Sequence, residues 1–229
     1  TLLASNHDEL IINKSRFICY GCPAETEEEA LTFLKQVRGI HPDATHHCYA
    51  YAIGPNMGIM RYSDDGEPGG TAGMPMIEFL KTKKLVNCIV VVVRYFGGVL
   101  LGTGGLVRAY TQGTKIAVEA AKIVSMELTC VEECDVPYPL WDKVKYESAS
   151  LPVQITDVRF TSSVSFTLLV RSKDHDTVLE TLTRITDGRF GNGVHRYALL
   201  PTDHGFNSCK FTAAKTVIGY CREVMNNRA

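Results

Sequence analysis

The stretch Val93-Arg94-Tyr95-Phe96-Gly97-Gly98-Val99-Leu100-Leu101-Gly102-Thr103-Gly104-Gly105-Leu106 reads as the end of a strand, a glycine loop and the start of a helix. A helix start carries N–H groups without intrahelical partners and the positive end of the dipole. Glycine lets an anion come close to that backbone. Arg94, Arg108 and Lys115 add three positive charges, and no acidic residue lies between 94 and 115. The chemistry this suits is phosphate recognition. Its candidate contacts are Arg94, Gly97, Gly98, Gly102, Thr103, Gly104, Gly105 and Arg108. It is not a Walker loop, because no Lys follows Gly102. It is not the dinucleotide fingerprint, because Val107 stands where a third small residue is needed. A tight turn against a sheet would use the same glycines.

Two further groups could share a cleft with this loop. Asp64, Asp65 and Glu67 place three carboxylates within four residues, ahead of Gly70 and Thr71, which can open another helix. Turn-forming Asp, Gly and Pro explain the segment as a surface loop. Three carboxylates also suit a divalent cation, but the EF-hand spacing is absent. His46 and His47 are adjacent on an expected strand, so they point to opposite faces and cannot both hold one metal. His46 or His47, Tyr95 and Phe96 could stack on nucleic-acid bases, with burial at a strand end as the competing use for Tyr95 and Phe96. There is no H-E-x-x-H and no G-x-S-x-G. Cys48 beside His47 makes a weak nucleophile pair, since neighbouring strand side chains diverge.

These residues must be held by regular elements. The spacing predicts a strand over 15–20 and a helix opened by the capping box Thr26-Glu27-Glu28-Glu29 and stopped near Gly39. A strand follows over 47–53, and then mostly loop over 54–73. A short helix is expected over 71–83. The β-branched run of 87–95 marks a strand buried on both faces. A long helix over 103–124 carries Leu106, Ala109, Gly113, Ile116, Ala120 and Val124 on one face. Beyond it come a strand over 128–136, a helix after Pro137 to about 150, strands over 153–160 and 164–170, a helix from about 173, and a strand over 194–199. That βαββαβ order is the ferredoxin-like plait. A last helix is expected over 209–225. Domain boundaries are therefore set at 1–127, 128–200 and an extension 201–229.

Composition narrows the classes. The chain has 229 residues, 45% hydrophobic and 21% charged, which excludes a disordered polymer. Its 24 Lys+Arg and 25 Asp+Glu leave a net charge of −1, which excludes a strongly basic nucleic-acid domain. Twelve of the 19 glycines fall between Gly54 and Gly113, so chemistry is sought there first. The apolar run Cys88–Val93 is too short to span a bilayer. Residues 1–20 have no basic segment leading into an apolar one, so the expected location is cytoplasmic, with no membrane. The eight cysteines read as reduced thiols used as small hydrophobes. Cys19-x-x-Cys22 lacks a matching second knuckle, and alternate strand positions explain Cys130 and Cys134. No metal, cofactor or catalytic group is expected.

Taken together, His46-His47, the 64–73 segment and the 94–106 segment closely resemble the Impact family, with the bacterial YigZ-type branch nearest. The resemblance covers about residues 14–200. It implies an α+β chain: an N-terminal domain of the ribosomal protein S5 domain 2-like fold, then a ferredoxin-like domain. Both folds recur in ribosome-bound elongation factors, so the resemblance implies RNA or ribosome binding. Eukaryotic members restrain a translation-control kinase, which would make a protein of translation control the partner. Their extra N-terminal domain has no counterpart in these residues, which argues against the kinase role here. Met74 stands where many relatives have Lys, which removes one phosphate contact.

The expected function is non-enzymatic: a translation-linked regulator that binds RNA or ribosomal phosphate weakly. Two rivals use the same residues differently. One is an enzyme, either a metal-dependent hydrolase or peptidase or a small-molecule phosphate enzyme, built on His46, His47, Asp64, Asp65 and Glu67. The other is a protein-interaction module that offers the plait's sheet face and the 209–225 helix.

Overall fold

The computed structural model describes residues 1–202. The helix expected over 209–225 lies outside them. The chain divides into two compact units after Val124, slightly before the boundary at 127 expected from the sequence. No helix among the described residues is long and apolar enough to cross a membrane. Cys19, Cys22, Cys48, Cys88, Cys130 and Cys134 are free thiols.

The first unit runs β1 (Asn6–Ile12), β2 (Ser15–Pro23), α1 (Glu27–Ile40), β3 (His46–Ile53), β4 (Ile59–Ser63), α2 (Gly73–Thr82), β5 (Cys88–Tyr95) and α3 (Gly102–Ala121). Its sheet is antiparallel throughout, in the order β1-β2-β5-β3-β4. β5 is central and its apolar run is divided between two cores. Val90 and Val92 face α2 and α3, while Ile89, Val91 and Val93 face α1. This alternation decides where each site residue points. Even-numbered positions of β5 and β3 look towards α2 and α3, and odd-numbered ones look towards α1.

α1 starts where expected. The Glu29 N–H donates to Thr26 Oγ1 at 3.2 Å, and the Glu29 carboxylate accepts from the Glu25 N–H. The helix runs one residue beyond Gly39. Two strands were not expected. β1 lies where no element was placed, and β4 lies in the segment read as loop. Both are edge strands with mostly exposed residues, so neither carries the buried alternation that announces a strand.

α3 buries Leu106, Ala109, Tyr110, Gly113, Ala117 and Ala121. The fully buried stripe continues through Ala117 and Ala121; Ile116 packs half-buried against the same core, and Val124 is buried just beyond the helix end. Gly113 is a point of close approach between the helix and the sheet. A Cβ there would sit 2.9 Å from Cys19 Sγ and 3.5 Å from Val92.

The second unit runs β6 (Ser125–Val136), α4 (Tyr138–Ser148), β7 (Val153–Phe160), β8 (Val164–Arg171), α5 (His175–Ile185) and β9 (Gly191–Thr202). Its antiparallel sheet has the order β7-β8-β6-β9. With the first and third strands in the middle, this is the ferredoxin-like arrangement expected. Val144 of α4 and Val178 and Leu182 of α5 pack on Phe166, Leu168 and Val170 of β8. Val131, Leu169, Ala198 and Leu200 cluster on the other face.

Gly113→Val forces β-branched bulk onto Cys19 and Val92. We expect a loss of about 1–3 kcal/mol, read as a lower urea midpoint at unchanged denaturant slope.

Candidate phosphate-facing site

The site begins with a charge at the end of an apolar strand. Arg94 occupies an even position of β5, so its side chain turns inward beneath α3 and is only 4% exposed. Its Nη1 donates to Glu67 Oε1 at 2.6 Å, and its Nη2 donates to Ser15 Oγ at 3.2 Å. Tyr110 of α3 donates its hydroxyl to the same Glu67 oxygen at 2.7 Å. The guanidinium carbon lies 5.4 Å from the Phe17 ring centre and 5.5 Å from that of Phe96. Arg94 is thus an internal cation neutralised by an internal carboxylate. This corrects the expectation that it reaches a phosphate.

The 64–73 loop is likewise turned inward. The Asp64 carboxylate accepts the N–H groups of Gly70, Ala72 and Gly73 at 2.8, 2.9 and 2.8 Å. The amides of Ala72 and Gly73 form the start of α2, so Asp64 caps that helix from a distance. Partial burial pushes its carboxyl pKa up, but the three amide bonds outweigh this and hold it below the ordinary carboxylate range. Asp65 accepts the His47 N–H at 2.6 Å and pairs with Arg38 at 3.2 Å. Thr71 donates its hydroxyl to the Pro68 carbonyl at 2.6 Å and is buried. Gly70 and Thr71 serve this turn; they do not open a second ligand face.

The two histidines point to opposite faces, as alternation requires. His46 donates from Nδ1 to the Asp65 carbonyl at 2.8 Å, with Nε2 3.9 Å from Glu67 Oε1. His47 donates from Nε2 to the His41 carbonyl at 3.0 Å. Cys48 donates to the Asp64 carbonyl at 3.0 Å, and burial pushes its thiol strongly up, which removes any thiolate character. His47 Nδ1 lies 3.8 Å from Asp65 Oδ2, but among the described residues no three of His46, His47, Asp64, Asp65 and Glu67 bring ligand atoms to one point.

What reaches solvent is the loop and the helix start. Tyr95 faces α1, with its hydroxyl 2.9 Å from His41 Nδ1. Phe96 is 46% exposed and Leu100 is 85% exposed. Gly97 is wedged under the β1–β2 turn. Its N–H donates to Ser15 Oγ at 3.2 Å, and a Cβ would fall 2.0 Å from the Lys14 carbonyl carbon. The backbone therefore admits only glycine there. Gly98, Gly102, Thr103 and Gly104 are exposed and Gly105 is half-buried. The first turn of α3 has no acidic residue and no side-chain cap. Arg108 is exposed one turn further on, with its Nη1 3.9 Å from where a Gly104 Cβ would stand. One helix start is thus occupied by Asp64, and the other presents bare amides beside a cation.

Two family descriptions match this chain: the Impact N-terminal domain over residues 13–118, and the domain of unknown function DUF1949 over residues 134–189. The IMPACT family member YvyE of Bacillus subtilis (strain 168) is 36% identical over 189 residues. That match covers 82% of this chain and 87% of the relative. The chain belongs to the IMPACT family. YigZ, the IMPACT family member of Escherichia coli (strain K12), is 48% identical over 109 residues, covering 47% of this chain and 53% of YigZ. A crystal structure described as that of a hypothetical protein matches this IMPACT chain with a TM-score of 0.54 at 31% identity. It covers 83% of this chain and 94% of the other.

Sequence reasoning missed the Glu67–Arg94–Tyr110–Ser15 group. Its one visible sign was an arginine ending a strand buried on both faces, which demands a counter-ion. Glu67→Ala leaves Arg94 buried and unpaired. We expect a loss of about 3–5 kcal/mol by urea unfolding. The Asp64 contribution has the acid-side sign. Its folded pKa lies below the unfolded one, so the stabilisation is present above the unfolded value and is lost as pH falls through the folded one. Asp64→Asn should therefore flatten the fall in stability below about pH 4, read from urea midpoints against pH.

Proposed function

We propose that this IMPACT-family chain is a non-enzymatic, translation-linked factor that binds RNA or ribosomal phosphate at the start of α3. The observation that carries this reading is the contrast between the two helix starts. α2 is capped by the Asp64 carboxylate, whereas α3 begins Gly102-Thr103-Gly104-Gly105 without a side-chain cap or an acid. A phosphate oxygen would take at α3 the place that a carboxylate oxygen takes at α2. Arg108 supplies the exposed charge that Arg94 does not, and Phe96 offers an exposed ring to a base. The family resemblance points the same way, towards translation.

The site is small and the chain is nearly neutral, so affinity is low. Two or three neutralised phosphates correspond to a slope of log affinity against log salt of roughly −1.4 to −2.1 on single strands.

Gly104→Asp separates function from fold. The position is open to solvent, and an acid in a first helical turn favours the helix by about 0.3–1 kcal/mol, yet it repels phosphate. In filter binding to single-stranded RNA we expect wild type to bind at low salt, and Gly104→Asp and Arg108→Ala each to bind at least about tenfold more weakly. Absence of RNA binding by wild type at low salt, or undiminished binding by Gly104→Asp, would overturn the reading.

A further inference from the structure

The second unit holds a cluster of donors that RNA binding does not use. Cys130 and Glu132 stand two apart on β6, so both side chains leave the same face. Their β8 partners, Val170 and Leu168, belong to the core under α4 and α5, which places the pair on that side. His175 opens α5. Its Nε2 lies 3.0 Å from Glu132 Oε2. The Cys130 sulfur, a Glu132 oxygen and a His175 ring nitrogen all lie within 4.8 Å of one another. All three residues are buried, with Glu132 only 1% exposed.

A hydrogen-bonded Glu–His pair does not account for this arrangement. The second Glu132 oxygen, Oε1, is also buried and has no hydrogen-bond partner, in a place where an unmet carboxylate oxygen is costly. His175 Nδ1 faces Asp176 Oδ1 at 3.3 Å. In the tautomer that carries the ring proton on Nδ1, the Nε2 lone pair faces the carboxylate. In that tautomer two acceptors stand 3.0 Å apart and need a cation between them. A proton would join the two atoms but would leave Oε1 and the sulfur without a role. A divalent ion uses all of them. Thiolate and carboxylate together cancel its two charges, and the imidazole ligates as a neutral group. Sulfur, nitrogen and oxygen in one set suit zinc. A carboxylate behind the other ring nitrogen is the usual second partner of a metal-bound histidine.

We propose that Cys130, Glu132 and His175 form a buried binding site for a zinc-type divalent ion, which ties the start of α5 to β6. On binding, the Cys130 sulfur exchanges its proton, released to water, for the metal–sulfur bond.

The test uses the full chain, stripped with a chelator and titrated with Co²⁺ and then Zn²⁺. We expect one equivalent bound per chain, an intense near-ultraviolet thiolate-to-cobalt band, and loss of that band when Zn²⁺ displaces the cobalt. Cys130→Ser should abolish the band. His175→Gln should weaken Co²⁺ binding by about tenfold or more, with far-ultraviolet circular dichroism confirming that each variant is folded. Failure of wild type to bind either ion would overturn the proposal without recourse to variants. So would a band that survives Cys130→Ser, because the cobalt would then sit on other thiols. RNA binding by wild type and Gly104→Asp is read separately, so neither result depends on the other.

Discussion

Arg94 and Glu67 meet beneath α3 with almost no water around them, and much of the first unit is arranged about that meeting. A buried charge is tolerable only with a partner held in good geometry. Here the partner is supplied by the 64–73 loop, and Tyr110 of α3 binds the same carboxylate oxygen. Ser15 joins the β1–β2 turn to the group and also receives the Gly97 N–H. One ion pair therefore fixes the end of β5, the acidic loop, the first hairpin and the long helix together. The exposed glycine loop is rigid at its base because its neighbours are held by this network.

The acidic loop thus acts as scaffolding, although its composition suggested chemistry. Its carboxylates are consumed by amides and by arginines, and what remains outside is a backbone surface. The difference between the starts of α2 and α3 is a difference in what fills them. At α2 the chain supplies its own anion, and at α3 the described residues supply none. On the function proposed above, recognition of phosphate by such a surface would depend on backbone shape and one exposed guanidinium, and an almost neutral protein would bind a polyanion weakly.

Much of this was legible in the sequence, and the failures share a cause. The β-branched run of β5, the Thr26 cap and the βαββαβ rhythm are local patterns with local physics, and each element formed close to its expected place. His46 and His47 diverge for the same local reason. The edge strands β1 and β4 were invisible because exposed strands need no apolar alternation. The role of Arg94 was misread because its partner lies 27 residues away, and no periodicity announces a pairing of that kind. Cys130, Glu132 and His175 illustrate the same limit. Residues 43 apart come together only when α5 is laid on β6. Cys134 packs in the apolar core, in keeping with the reading of the cysteines as small hydrophobes.

The position of β5 has a consequence for the order in which the first unit can assemble. Its neighbours β2 and β3 both precede it in the chain, and they touch each other nowhere in the sheet. During synthesis the β1–β2 and β3–β4 hairpins can form early, but each is a two-stranded ribbon of marginal persistence. They have no common partner until residue 95 has left the ribosome. Closure then joins segments some seventy residues apart, which makes the step slow and cooperative. Arg94 arrives with that same strand, so its counter-ion Glu67 waits unpaired in the nascent chain until the sheet is complete.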